Sequence, residues 1–219
     1  MKRCPAALYC MSISRNFAEW QAQGPSSPTE TLVSEEETAA LLKLACRAVA
    51  HAEARGHAVL AGWTTPWEGP EPLQFAAQCE DLPGGRFYWE RPEERLAMAA
   101  GEAAQHFSAS GADRFAQTGA AVQHALNAAC WDTAEEGLPV GPYLTGGFSF
   151  FESLDTAQWP GYEPAALMVP TWLVLRQAEQ SALLVSAQTQ PGEAPGALAE
   201  RLAHSLAAVR ECALRERPI

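Results

Sequence analysis

Apolar residues recur every three to four positions in some stretches of the chain and gather into short aromatic or β-branched runs in others. Turn-forming residues separate the two kinds. Ser34 opens the first helical stretch. Glu37 follows three residues later, the pairing in which hydroxyl and carboxylate each satisfy a free backbone N–H. Leu41, Leu42, Ala45, Val49 and Ala52 continue at helical spacing, and Gly56 supplies the left-handed residue that ends the helix. Ala58 to Thr64 reads as a strand closed by Pro66, and Pro72 to Cys79 as a short apolar helix. Gly84-Gly85 marks a turn. Arg86 to Arg91 is aromatic-rich, as strands are, and Pro92 to Arg95 connects it tightly to a second strand, Leu96 to Glu102.

The second half of the pattern continues in the same way. A helix is predicted from Asp113 to Cys130, with Phe115, Val122, Leu126 and Ala129 on one face. Pro142 to Phe151 reads as a strand whose Gly146-Gly147 pair permits a bulge or close backbone packing. Leu167 to Arg176 and Leu183 to Gln188 form a hairpin across residues 177–180. Pro191 to Gly196 is a linker, and a last amphipathic helix runs from Ala197 to Arg215. Tight antiparallel pairs with helices between them define an α+β class: a mostly antiparallel sheet with helices packed on one side. Three segments follow: a poorly ordered leader over 1–33, an α+β domain over 34–190, and a linker with terminal helix over 191–219.

Composition narrows the function. In 219 residues, 15 Lys+Arg face 26 Asp+Glu, for a net charge of −11. An acidic chain lacks the basic patches that nucleic acid and anionic membrane surfaces require, so neither is an expected partner. With 47% hydrophobic and 19% charged residues the chain is globular, and no run reaches the ~20 apolar residues that cross a bilayer. Ser12, Ser14, Arg15 and Asn16 interrupt any signal-peptide core after Met1-Lys2-Arg3, which points to a cytoplasmic protein. The six cysteines show no C-x-x-C pair, and neither they nor the five histidines take metal-ligand spacing; free buried thiols in a reducing compartment are expected.

No catalytic constellation stands out. The glycine pairs lack phosphate-loop spacing, and no G-x-S-x-G elbow exists. Glu35-Glu36-Glu37 suits a helix amino terminus, and Glu135-Glu136 a solvated loop. Glu80, Asp81 and Glu90 read as surface acids. Lys2 and Lys43 are the only lysines, and neither is placed as a buried base. Phe87-Tyr88-Trp89 reads as sheet packing.

Several segments together resemble a known family. Phe87-Tyr88-Trp89-Glu90-Arg91-Pro92, followed by Leu96 to Ala103, is similar to the F-Y-W-E-x-P … A-x-A-G-x-G-x-A signature of isochorismate synthases, with Ala100 and Glu102 where glycines are usual. Gly111 to Phe115 resembles G-x-x-R-F, Gly146 to Phe150 resembles G-G-F-x-F, and Met168 to Trp172 resembles a strand with L-P-x-W. The resemblance implies the amino-terminal half of the anthranilate synthase component I-like fold. It further implies an enzyme that converts chorismate to isochorismate with magnesium, for menaquinone or phylloquinone synthesis. The family's lysine base, acid and magnesium-binding glutamates lie in K-V-V-L-A-R-like and later segments, which this sequence lacks. No catalytic, cofactor-binding or metal residue is therefore assigned. The expectation is an amino-terminal fragment, inactive alone, whose partner is the missing carboxy-terminal chorismate-binding half. The alternatives are a non-catalytic binding module and a fragment of a salicylate- or siderophore-pathway enzyme. An uncovered patch including Phe148, Phe150 or Trp172 would favour the fragment.

Overall fold

The computed structural model describes residues 32–79, 82, 86–154, 157–159 and 161–215. Residues 1–31 of the leader expected over 1–33, the Gly84-Gly85 turn, and Glu80 and Asp81 lie outside the described residues, and Leu32 and Val33 pack with the core. Helix α1 (Glu35–Arg55) starts as its sequence dictates. Ser34 Oγ accepts from the Glu37 amide and a Glu37 carboxylate oxygen accepts from the Ser34 amide, both at 3.1 Å. Gly56, at φ 69°, ends the helix in the left-handed region.

Strand β1 (Val59–Pro66), helix α2 (Pro72–Gln78), strand β2 (Phe87–Arg91) and strand β3 (Leu96–Ala109) follow. Helix α3 (Arg114–Ala128), strands β4 (Cys130–Thr133), β5 (Thr145–Phe148), β6 (Ala165–Gln177) and β7 (Gln180–Thr189), and helix α4 (Pro195–Leu214) complete the described elements. The strands form one seven-stranded sheet in the order β2-β3-β6-β7-β1-β4, with β5 also paired to β6. Every pairing is antiparallel except β1 with β4.

Alternation along the strands sorts the core into two faces. On one, Val59, Ala61, Trp63, Val174, Leu183 and Val185 meet Leu41 and Leu44 of α1, Phe75 of α2, and Leu198, Leu202 and Leu206 of α4. The expected one-sided packing holds for these three helices, and α4 belongs to the same core as α1. Helix α3 adds cover to one end of the opposite face, where Val122 packs with Leu60, Phe107 and Val169. The rest of that face carries Met98, Leu173, Leu175 and Leu184 beneath Trp131, Leu138 and Tyr143.

Four local readings are corrected. Cys130 does not end α3; Ala129 turns extended (φ −61°, ψ 141°) and Cys130 begins β4, paired beside β1. β3 runs seven residues past Glu102, because Glu102 takes φ 53° and the register shifts between Ala103 and Gln105, a bulge that breaks the period-two pattern. β5 spans four residues rather than the ten of Pro142–Phe151. Phe115 is not on the buried face of its helix: it is 52% exposed and stacks on Phe148 at 4.8 Å.

The cysteines also differ from expectation. Cys79 and Cys212, 133 residues apart, form a disulfide that ties the end of α2 to the last turn of α4. A bridge between distant helices leaves no local spacing signature, so the sequence pattern hides it. Cys130 remains a buried thiol, as expected.

Candidate functional site

The segments that carried the family resemblance converge on adjoining strands. β2 bears Phe87 to Arg91, β3 bears Leu96 to Ala103, β6 bears Met168 to Trp172, and β5 bears Gly146 to Phe148. In the ladders Trp89 faces Met98, Gly101 faces Trp172, and Gly147 faces Ala166. Gly146 needs to be glycine: at φ 132°, an added Cβ would lie 2.1 Å from the Ala166 carbonyl oxygen. Trp172 is buried, edge-on to Phe75 at 5.5 Å.

Arg114 supplies the fourth segment. It is 4% exposed, and its guanidinium donates to the carbonyls of Gly111 (3.1 Å), Ser149 (3.2 Å) and Phe150 (3.3 Å). The start of α3 is thereby fastened to the chain that leaves β5. Beside this anchor an aromatic surface is open: Phe148 is 43% exposed, Phe150 92% and Phe151 68%. Trp159 and Tyr162, both exposed, stand edge to face at 6.0 Å on the loop that follows.

A cavity of ≈ 370 Å³ opens where the β2–β3 and β6–β7 connections meet. Its charged groups are already matched. Arg95 pairs with Glu179, Arg176 pairs with Glu71 at 2.6 Å, and the Tyr88 hydroxyl donates to Glu90 at 2.6 Å. Burial, and then the Glu90 carboxylate, push the Tyr88 phenol up to about 12, so it stays protonated near neutrality. Three carboxylates against two guanidiniums leave the cavity acidic. A dianionic substrate would meet net repulsion there, and Ser181 in the wall has no histidine among the lining residues to activate it.

The acids singled out in the sequence do not assemble. Glu35 and Glu36 are exposed in the first turn of α1, and Glu135 and Glu136 are exposed after β4. Glu37 instead receives Arg210 from α4, an ion pair the sequence pattern did not signal. Lys43 is exposed on α1, and Lys2 lies outside the described residues. Among the described residues no group of three His, Cys, Asp or Glu side chains is placed to hold a metal ion. The carboxylates that line the cavity are engaged with arginines and Tyr88, so they do not fit magnesium and no step is derived through it.

Among the described residues, β4 brings a cysteine against a histidine of α1. Cys130 Sγ lies 3.5 Å from His51 Nδ1, which also meets the Ala128 carbonyl at 3.1 Å. Burial raises the Cys130 thiol above its ordinary value despite nearby Arg47, so the sulfur is held as thiol and is a poor nucleophile.

No helix among the described residues is long and apolar enough to cross a membrane. A comparison with curated proteins found no match. Residues 46–218 match a family model described as chorismate binding enzyme, which takes in the sheet, α3, α4 and all four resembling segments. The chain therefore belongs to the chorismate-binding enzyme family and is related to enzymes that act on chorismate.

Proposed function

We propose that this chain serves an isochorismate synthase, as the amino-terminal part of an enzyme that moves a hydroxyl group around the chorismate ring. Water adds at one ring carbon and hydroxide leaves from another, so the formula is unchanged. In this reading the described residues are a scaffold. The acid, base and magnesium ligands come from a second, chorismate-binding half. The product would feed quinone synthesis.

The observation that carries the proposal is the open aromatic surface of Phe148, Phe150 and Phe151, held in place by Arg114. Exposed aromatic groups of this kind mark interaction surfaces. Phe148 and Phe150 sit within the G-G-F-x-F resemblance, where a second half would dock in this reading. Trp172, the third residue of that expected patch, is in the core instead.

The test is chorismate turnover with magnesium, followed by chromatography of the products. Two preparations are compared: the purified chain alone, and the chain co-expressed with the segment encoded after the Ile219 codon. Isochorismate from the pair and nothing from the chain alone is the expected result. Isochorismate from the chain alone would remove the need for a second half. Salicylate or anthranilate would place the chain in another branch of the family. Unchanged chorismate in both preparations would leave the non-catalytic binding module standing and end the isomerase reading.

A further inference from the structure

Helix α3 does not close evenly on the sheet. Ala121 and Ala125 fill little of the space beside it, and a cavity of ≈ 380 Å³ opens between them and a floor of Leu60 and Phe107. Both floor residues are at most 5% exposed and belong to the small core under α3, so the floor is firm. Volumes of roughly 300–1,000 Å³ with apolar walls and a few polar groups are typical of small-molecule sites.

Strand register sets the polar groups. Gln188 of β7 pairs with Leu60 of β1, and Gln105 of β3 pairs with Val169 of β6. Leu60 and Val169 both belong to the core under α3, so both glutamines rise from the face that α3 covers. β6 runs between their strands and separates the two backbones by roughly 10 Å, two strand spacings. Among the described residues neither carboxamide is hydrogen-bonded. Each half-buried amide therefore has a donor and an acceptor to offer into the cavity.

His57 and His124 complete the polar lining, with ring centroids 5.0 Å apart and planes at 42°. His57 Nδ1 lies 2.9 Å from the Ala58 carbonyl oxygen, a contact that needs the proton on Nδ1 and, in the neutral ring, leaves Nε2 as an acceptor. No Asp, Glu, Lys, Arg or Cys lines the cavity. A ligand with a full charge would give up its water with no permanent countercharge in return. Two imidazoles fall short of the three or four protein ligands that zinc takes. A purely apolar ligand would leave both amides unpaired. What the wall matches is an uncharged flat ring whose edges carry hydrogen-bond donors beside acceptors. A carboxamide pairs with such an edge through two parallel bonds, as glutamine does with adenine.

We propose that this cavity binds a free purine base or its nucleoside, an uncharged nitrogen heterocycle. The ring lies over Leu60 and Phe107, Gln105 and Gln188 pair with its donor–acceptor edges, and His57 Nε2 accepts an N–H. A phosphate has no partner in the wall, so the nucleotide gains nothing over the nucleoside. The proposal rests on the cavity alone and is independent of the isomerase reading.

Calorimetry on the full chain tests it, with adenine and adenosine as probes. Indole is the control for apolar stacking, AMP for phosphate recognition and benzoate for a carboxylate. Adenine and adenosine should saturate, indole and benzoate should bind at least about tenfold more weakly, and AMP should bind no tighter than adenosine. Gln105→Leu and Gln188→Leu each remove one unpaired amide and should weaken adenine about tenfold at an unchanged unfolding temperature. Ala121→Phe, at an exposed helix position, fills the cavity without touching either amide and should abolish adenine binding. Failure of both adenine and adenosine to saturate at millimolar concentration would overturn the proposal. So would indole binding as tightly as adenine, or AMP or benzoate binding more tightly than adenosine. Unchanged adenine affinity in either glutamine variant or in Ala121→Phe would overturn it as well.

Discussion

Arg210 on the last helix grips Glu37 on the first in a two-pronged ion pair, Nη2 to Oε1 at 2.7 Å and Nη1 to Oε2 at 2.8 Å. The same guanidinium donates to the Leu32 carbonyl at 2.7 Å, and Thr65 on β1 donates its hydroxyl to Glu37 at 3.2 Å. One carboxylate thus caps α1, holds α4 and meets the sheet. Glu37→Gln keeps a side chain able to cap but removes the charge. We expect it to lose about 2–3 kcal/mol in urea unfolding, against about 1 kcal/mol for Ser34→Ala, which removes the cap alone.

The same pair predicts a pH dependence. Burial raises the Glu37 carboxyl, but hydrogen bonds from Arg210, the Ser34 amide and Thr65, together with the Arg210 charge, outweigh burial and leave it below its ordinary value. A depressed carboxyl stabilises the fold above its unfolded value, about 4.3, and that contribution is lost as pH falls through the folded value. Urea midpoints measured downward from neutrality should therefore drop more steeply in the native chain than in Glu37→Gln below about pH 4. Parallel profiles would remove Glu37 as the cause.

The Cys79–Cys212 bridge closes a loop with a sequence separation of 133. Cross-links over loops of this size are worth roughly 3–5 kcal/mol, chiefly by restricting the unfolded chain. A Cys79→Ala/Cys212→Ala variant should lose that much in urea unfolding. A thiol reductant should lower the native midpoint to match it and leave the variant unmoved. Insensitivity of the native chain to reductant would mean that the bridge adds nothing to stability.

The parts of the fold that were legible in the sequence are those set by local chemistry. Ser34, Glu37 and Gly56 bound α1 because capping acts within one turn, and the β6–β7 hairpin follows from two alternating runs around a short polar connection. Contacts between distant segments were not legible. Arg210 reaches Glu37 across 173 residues, and nothing near either residue announces the other. His57, just before β1, and His124 on α3 meet with ring centroids 5.0 Å apart, and their 67-residue separation hides that contact for the same reason. β3 reads as ending at Glu102 because a bulge there inverts the alternation on which strand reading depends.

Arg114 predicts a local effect. Its three carbonyl partners lie in two separate chain segments, and a planar fork serves them where a single ammonium cannot. Arg114→Lys should therefore behave much like Arg114→Met, each losing about 2–3 kcal/mol. Proteolysis and amide exchange should speed up over residues 148–153 before the rest of the chain. Full protection in Arg114→Lys would show that charge alone holds the segment.

Trp131 makes the last case. Its indole packs against Gly62, its register partner across the parallel β1–β4 pairing, and its Nε1 donates to Thr64 Oγ1 at 3.1 Å. A Cβ on Gly62 would sit 2.2 Å from the indole ring, and one on Gly141 would sit 2.7 Å from its other edge. The ring is thus slotted between two glycines, and this short parallel strand depends on both. Gly62→Ala must push the indole out of the slot, breaking the Thr64 bond and uncovering Leu184, which touches the same loop. Overpacking of this kind costs about 1–3 kcal/mol, and the lost hydrogen bond brings the sum to the upper end. Tryptophan emission should shift to the red as the ring meets water. Trp131→Val removes the obstacle, so adding Gly62→Ala to it should cost far less than Gly62→Ala alone, and a double-mutant cycle should return a coupling of about 1–2 kcal/mol. Strictly additive losses would show that Gly62 is required by the backbone of β1 and not by the indole above it.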